Sequence, residues 1–226
     1  MLLLAVDTSG KNSSLALALA TEEKPEVEVV GSVPLAGGTF SAQLVPQIAA
    51  LLTKHRYAKA DLAAFAVVSG PGSFTGLRVG LAAIKALAEV LGKPIAAVSL
   101  LEAVAWASGR KGRVVAALDA GRGEIYLGDY ELADFAQMCS ERLITRDELV
   151  GEMNKNKEFV VTPDSSLAET LRAADVLCEQ IPYPGSEVIA SLGWQHIQRG
   201  QTVRAEELEA NYIRRSDAEI FSQPRR

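Results

Sequence analysis

The sequence predicts an α/β protein of two lobes built on mixed sheets, and three observations carry that prediction. Strand and helix signals alternate through the first 130 residues, and a strand–Asp–turn–strand unit occurs twice, about 112 positions apart. The chain from 133 onward is more polar, with weaker periods and breakers at Pro163, Pro182, Pro184 and Gly185.

Each element follows from local pattern. The apolar run Leu2-Leu3-Leu4-Ala5-Val6 stops at Asp7 and has no basic residues before it. That is too short for a signal peptide or membrane span, so it reads as a buried strand over 2–7. Strands near 14–20 and 27–33 complete a meander. Phe40, Leu44, Ile48, Leu51 and Leu52 recur at helical spacing and predict a helix over about 41–54, with Pro46 expected to bend it. A strand at 64–69, a helix over about 75–91, and strands at 95–98 and 113–119 complete the alternation. The division expected is a first lobe over 1–110, carrying partner-binding helices, and a smaller second lobe over 111–226.

Composition excludes several classes of function. A chain of 226 residues buries roughly 70% of its unfolded surface and needs no disulfide framework. Cys139 and Cys178 are its two cysteines, far apart and without CxxC spacing, which predicts reduced thiols and a cytoplasmic protein. A net charge of −5 argues against a broad cationic surface of the kind needed to hold RNA by phosphate contacts alone. The basic end with Arg214, Arg215, Arg225 and Arg226 reads as exposed, with contact to RNA or a partner as the alternative.

The repeated unit sets Leu3-Leu4-Ala5-Val6-Asp7-Thr8-Ser9 beside Val115-Ala116-Ala117-Leu118-Asp119-Ala120-Gly121, each followed by a second strand. A duplicated actin/Hsp70/sugar-kinase (ASKHA) fold shows this pattern, with both hairpin turns facing a cleft between lobes. Such turns cradle nucleotide phosphate with backbone amides and small hydroxyl residues. Two readings of Asp7 and Asp119 stand side by side: orienting a metal-bound water, or closing the strand-end turn by Asx hydrogen bonds.

Between the strand at 64–69 and the following helix lies Ser69-Gly70-Pro71-Gly72-Ser73-Phe74-Thr75-Gly76-Leu77-Arg78-Val79-Gly80. The glycines permit turns and close backbone approach, and Ser73 or Thr75 can cap the helix. The Lys-Ser/Thr that ends a P-loop is missing, and the glycine spacing departs from GxGxxG by one residue. The helix itself says more. From Thr75 to Leu91 its charges are Arg78, Lys85 and Glu89, all on one narrow stripe, so its apolar face is nearly twice the width that packing on a sheet requires. Either the 41–54 helix or another polypeptide covers the excess; in the second case Gly76, Gly80 and Ala83 permit close approach.

Catalytic constellations are scarce. His55 and His196 are the two histidines, which rules out HExxH or a His-rich metal site. His55, beside Lys54 and Arg56, reads as a solvated residue, and His196 as a partly buried helical residue with a hydrogen-bond partner. No GxSxG elbow is present.

Asp7-Thr8-Ser9, the 69–80 string, Leu118-Asp119-Ala120-Gly121-Arg122-Gly123-Glu124-Ile125-Tyr126 and Asn211-Tyr212-Ile213-Arg214 stand in the order seen in the TsaB (YeaZ) family, which the chain resembles strongly over 1–130 and weakly after. The resemblance implies an ASKHA relative of TsaD, the metal-bearing transferase of tRNA threonylcarbamoyladenosine synthesis, without that relative's active site. TsaD-like proteins carry a His-x-x-x-His motif near the helix that here begins at Phe40, and TsaB proteins often have one His where Phe40 stands; this chain has neither. The implied protein has no catalytic and no metal-binding residues. It binds and activates or stabilises a TsaD-like transferase, is joined by a TsaE-like ATPase, meets tRNA through the complex only, and forms a homodimer when alone. The implied contact residues are Phe74, Thr75, Leu77, Arg78, Leu81 and Ile84, with Leu44 and Ile48. Asp7, Thr8, Ser9, Asp119, Gly121 and Arg122 would be a vestigial nucleotide turn, and any ATP or ADP would sit at the assembled interface. The alternative is a stand-alone ASKHA phosphotransferase or nucleotide hydrolase using the two turns.

Overall fold

A computed structural model describes residues 1–21, 23, 26–35 and 40–213. The first sheet holds β1 (Leu2–Asp7), β2 (Ser14–Leu19), β3 (Glu28–Pro34), β4 (Leu62–Gly70) and β5 (Ile95–Ser99), in the order β3-β2-β1-β4-β5. All six residues of β1 are buried. A strand with a neighbour on each edge and cover on both faces has no solvent side, which is why this stretch is apolar without alternation. The second sheet holds β6 (Gly112–Gly121), β7 (Glu124–Leu132), β8 (Ala136–Thr145), β9 (Val160–Thr162) and β10 (Cys178–Gln180), ordered β10-β9-β6-β7-β8.

Read from the other edge, the second sheet repeats the first. In each, the leading strand pairs antiparallel with the next and parallel with the fourth, and the fourth pairs parallel with the fifth. The repeated strand–Asp–turn–strand unit is therefore the visible part of a duplicated five-stranded sheet.

Among the described residues six helices accompany these sheets: α1 (Phe40–Lys54), α2 (Phe74–Leu91), α3 (Leu100–Ala107), α4 (Arg146–Asn156), α5 (Ser165–Ala173) and α6 (Ser186–Gln198). Ser73 caps α2 by accepting from Gly76 N, and Gly92 ends it in the left-handed region. Residues 100 to 105 of α3 are all buried. Apolar except at Glu102, α3 lies between the sheets and packs on strands of both.

The division at residue 110 needs correction. α6, placed by sequence in the second lobe, lies on β1, β2, β4 and β5 of the first sheet. A Cβ at Gly193 would fall 2.3 Å from Ala66 Cβ, so only glycine lets the helix approach that closely. Ala66 faces α6; strand alternation turns Phe65 and Val67 to the opposite face, where α2 lies and packs beside α1. Among the described residues no helix is long and apolar enough to cross a membrane.

Candidate partner-binding surface and the turns beneath it

The turn after β1 is closed. Asp7, Thr8 and Ser9 are all buried. Asp7 Oδ1 accepts from Ser9 N at 2.7 Å, the Asx-turn bond, and burial raises its carboxyl above the ordinary carboxylate range, against a smaller lowering from Ser9. Thr8 Oγ1 donates to Gly76 O at 2.8 Å, and Ser73 N donates to Ser9 O at 2.6 Å. A Cβ at Gly76 would stand 2.1 Å from Thr8 O, and one at Gly80 would stand 2.3 Å from Thr8 Oγ1. The glycines of the 69–80 string thus form a notch that receives this chain's own first turn. At Gly76 and Gly80 the space is filled by Thr8, which leaves no room there for a partner helix.

The second turn is open. Asp119 Oδ1 accepts from Gly121 N at 2.8 Å, Asp119 N donates to Asp164 Oδ2 at 2.8 Å, and Asp119, Gly121 and Arg122 are exposed. Asp164 is raised by burial, and the Tyr183 hydroxyl is raised by burial and by the nearby Asp164 and Asp7 carboxylates. No group of three or more metal-ligating side chains occurs among the described residues.

The large residues expected to meet a partner are inside. Leu77, Leu81 and Ile84 of α2, and Leu44 and Ile48 of α1, are buried in the protein's own core. Two helices packed side by side on the sheet hide each other's long side chains, and the width of the apolar stripe could not show that. What faces outward is small: Ala42, Val45, Pro46, Ala49 and Ala50 on α1, and Ala82, Ala86 and Val90 on α2. Val45 is 56% exposed and Val90 79%. At the start of α2, Phe74, Thr75 and Arg78 are exposed. The Arg78 guanidinium lies 3.7 Å over the Phe74 ring, and its Nε donates to Tyr212 Oη at 3.1 Å.

Comparisons with known proteins decide the family. A family model described as TsaD, tRNA N6-adenosine threonylcarbamoyltransferase, matches residues 22–187. The Bacillus subtilis tRNA threonylcarbamoyladenosine biosynthesis protein TsaB is 38% identical over 160 residues, 63% of this chain and 67% of that protein. The chain belongs to the TsaB family. The Escherichia coli TsaB is 28% identical over 96% of both chains. YeaZ from Pseudomonas aeruginosa superposes with a TM-score of 0.76 at 28% identity, covering 93% of this chain and 99% of that one. The two-lobed ASKHA-like fold expected from the duplication is thereby that of a solved TsaB-family relative.

Two residues to which sequence reading gave no role join this surface. Asn211 N donates to Ser69 O at 2.8 Å and Asn211 Nδ2 donates to Glu141 at 2.7 Å, while the Tyr212 ring lies 5.0 Å from that of Phe74. The Asn211-Tyr212-Ile213 string was the available signal. Arg214, Arg215, Arg225 and Arg226 lie outside the described residues, as does the side chain of Phe40. His55 corrects another expectation: its Nε2 is buried without a hydrogen-bond partner, and the ring fills the space beside Gly31. His196 meets Glu102 at 2.9 Å, as a partly buried helical histidine should.

Proposed function

We propose that this TsaB-family chain is a non-catalytic subunit in formation of threonylcarbamoyladenosine on tRNA, and that its exposed α1–α2 face docks a TsaD-type transferase. The observation that carries this reading is the chemistry of that face. Outward positions of a surface helix normally carry charge; here most are alanine, valine and proline, with Ser41, Thr53 and Lys54 at the ends of α1 and Phe74, Thr75, Arg78 and Glu89 toward the ends of α2. Small apolar side chains leave backbones free to approach, and burying them against a partner is favourable in proportion to the area covered. A subunit that docks preferentially on the competent state of a transferase shifts it toward that state and supplies no reacting group.

Closure of the first turn supports the non-catalytic part. Asp7 is buried and occupied by its Asx bond, and the loop before α2 packs on Ser9 of the same turn. Isolated chain is therefore expected to bind ATP weakly and to turn none over. A TsaE-like ATPase completes the assembly, and tRNA is gripped by the partners, in keeping with a net charge of −5. Without the transferase, a second copy covers the same face.

The test is co-elution of a purified TsaD-type transferase with Ala82→Arg and Ala86→Arg variants. Loss of the complex and of tRNA modification, with unchanged thermal stability, is the expected result. Normal complex formation by both variants would exclude this face.

A further inference from the structure

Sheet edges on the two lobes flank an open cavity of about 820 Å³, within the size range of small-molecule sites. One wall is the open edge of β5. Ile95 turns its N–H and C=O away from β4 and bonds Val203 at 3.1 and 2.9 Å. Residues two apart in a strand point the same way, so the Ala97 amide also faces outward, into the cavity it lines. The opposite wall is β8, the edge strand of the second sheet, which contributes Met138 and Glu141.

The interior carries two carboxylates. Glu141 accepts from Ser99 Oγ, Tyr130 Oη and Asn211 Nδ2, none of which is a cation. Glu102 gives Oε1 to His196, its side chain is 10% exposed, and no hydrogen bond to its second oxygen is found among the described residues. A carboxylate this deep costs free energy unless it is paired and bonded. Among the described residues His196 is the one ion-pair partner of either, and it is charged only when protonated. At the mouth, the Arg199 guanidinium lies 4.0 Å over the Phe135 ring.

Acceptors inside, a guanidinium at the rim and an apolar wall between them complement a small zwitterion. We propose that this cavity binds a free amino acid, with its ammonium donated to Glu102 and Glu141 and its carboxylate turned to Arg199. The Ala97 carbonyl and the Phe135 and Met138 side chains line the remainder. The proposal does not rest on the partner-binding reading, so its failure would leave that reading standing.

Calorimetry and thermal shift of the full chain test it, using the protein amino acids one at a time and their N-acetyl forms as controls. At least one free amino acid should bind and raise the melting temperature, and its N-acetyl form should not. Glu102→Gln keeps a hydrogen bond to His196 but removes the charge, and Arg199→Ala changes an exposed side chain; each should weaken binding about tenfold or more. No binding by any amino acid would overturn the proposal. So would equal binding by the wild type and both variants, with folding of the variants confirmed by circular dichroism.

Discussion

Asp7 is the residue on which catalysis and turn closure made opposite claims, and its surroundings favour closure. Folding raises its pKa, so the anion is the form less favoured in the native protein. The resulting cost is present above the folded pKa and disappears as pH falls through it. Asp7→Asn keeps the Oδ1 acceptor for Ser9 N and removes the charge. Its stability relative to wild type should therefore be highest near neutral pH and decline toward acid, read from urea midpoints at stepped pH. A gap that widens on acidification would contradict the assignment. Asp7→Ala, which orphans a buried N–H, should instead cost about 1–3 kcal/mol.

Gly76 argues similarly from sterics. An alanine there sets Cβ 2.1 Å from a backbone carbonyl, so either Thr8 or α2 must move. Overpacking of this kind costs typically about 1–3 kcal/mol. Gly76→Ala should lower the unfolding midpoint accordingly, and a paired Thr8→Ala should not rescue it, because the clashing atom belongs to the main chain. Spacing made these glycines visible. Their neighbour lies 68 residues away in sequence, which spacing does not encode.

At the scale of elements, α2 shows what a sequence can and cannot carry. The stripe of Arg78, Lys85 and Glu89 correctly announced a helix with excess apolar surface. It did not say which apolar residues α1 and the sheet would take. Long side chains were taken first because they fill the gap between packed helices, and the small ones were left outside. Leu77→Ala should accordingly cost about 2–5 kcal/mol in a denaturant titration, through cavity formation in the core. Ala82→Arg should stay within about 0.5 kcal/mol of wild type and act on docking alone. Substituting Leu77 or Leu81 by glutamate would unfold the lobe and report nothing about the surface. Most strands and helices over 2–119 were legible because each rests on local period and local breakers; α3 was not, because a short, mostly apolar helix that follows β5 directly has neither a polar stripe nor a breaker to mark it. The Glu102–His196 pair, 94 residues apart, and the strap at Asn211–Tyr212 depend on tertiary proximity.

At the scale of the whole molecule, the duplication is legible but the boundary between halves is not. Cutting at residue 110 follows the repeat, yet α6 belongs by contact to the first sheet and α3 to both sheets. Ile189, Ala190, Leu192 and Trp194 of α6 are buried, and all fall after the cut. A fragment of residues 1–110 would expose the sheet face that Ala66 and Ala96 present to Gly193, together with the side of α3 that packs on β6 and β7. A contiguous apolar face of that kind is not tolerated by a soluble monomer. The fragment is therefore expected to aggregate, or to remain collapsed with strong dye binding and weak near-ultraviolet dichroism. Adding residues 111–226 during refolding should restore the native signal, because α6 and the second sheet supply the missing cover. A fragment that folds alone with a cooperative transition would show instead that the first sheet is sufficient, and that α6 is an accessory to a domain already complete.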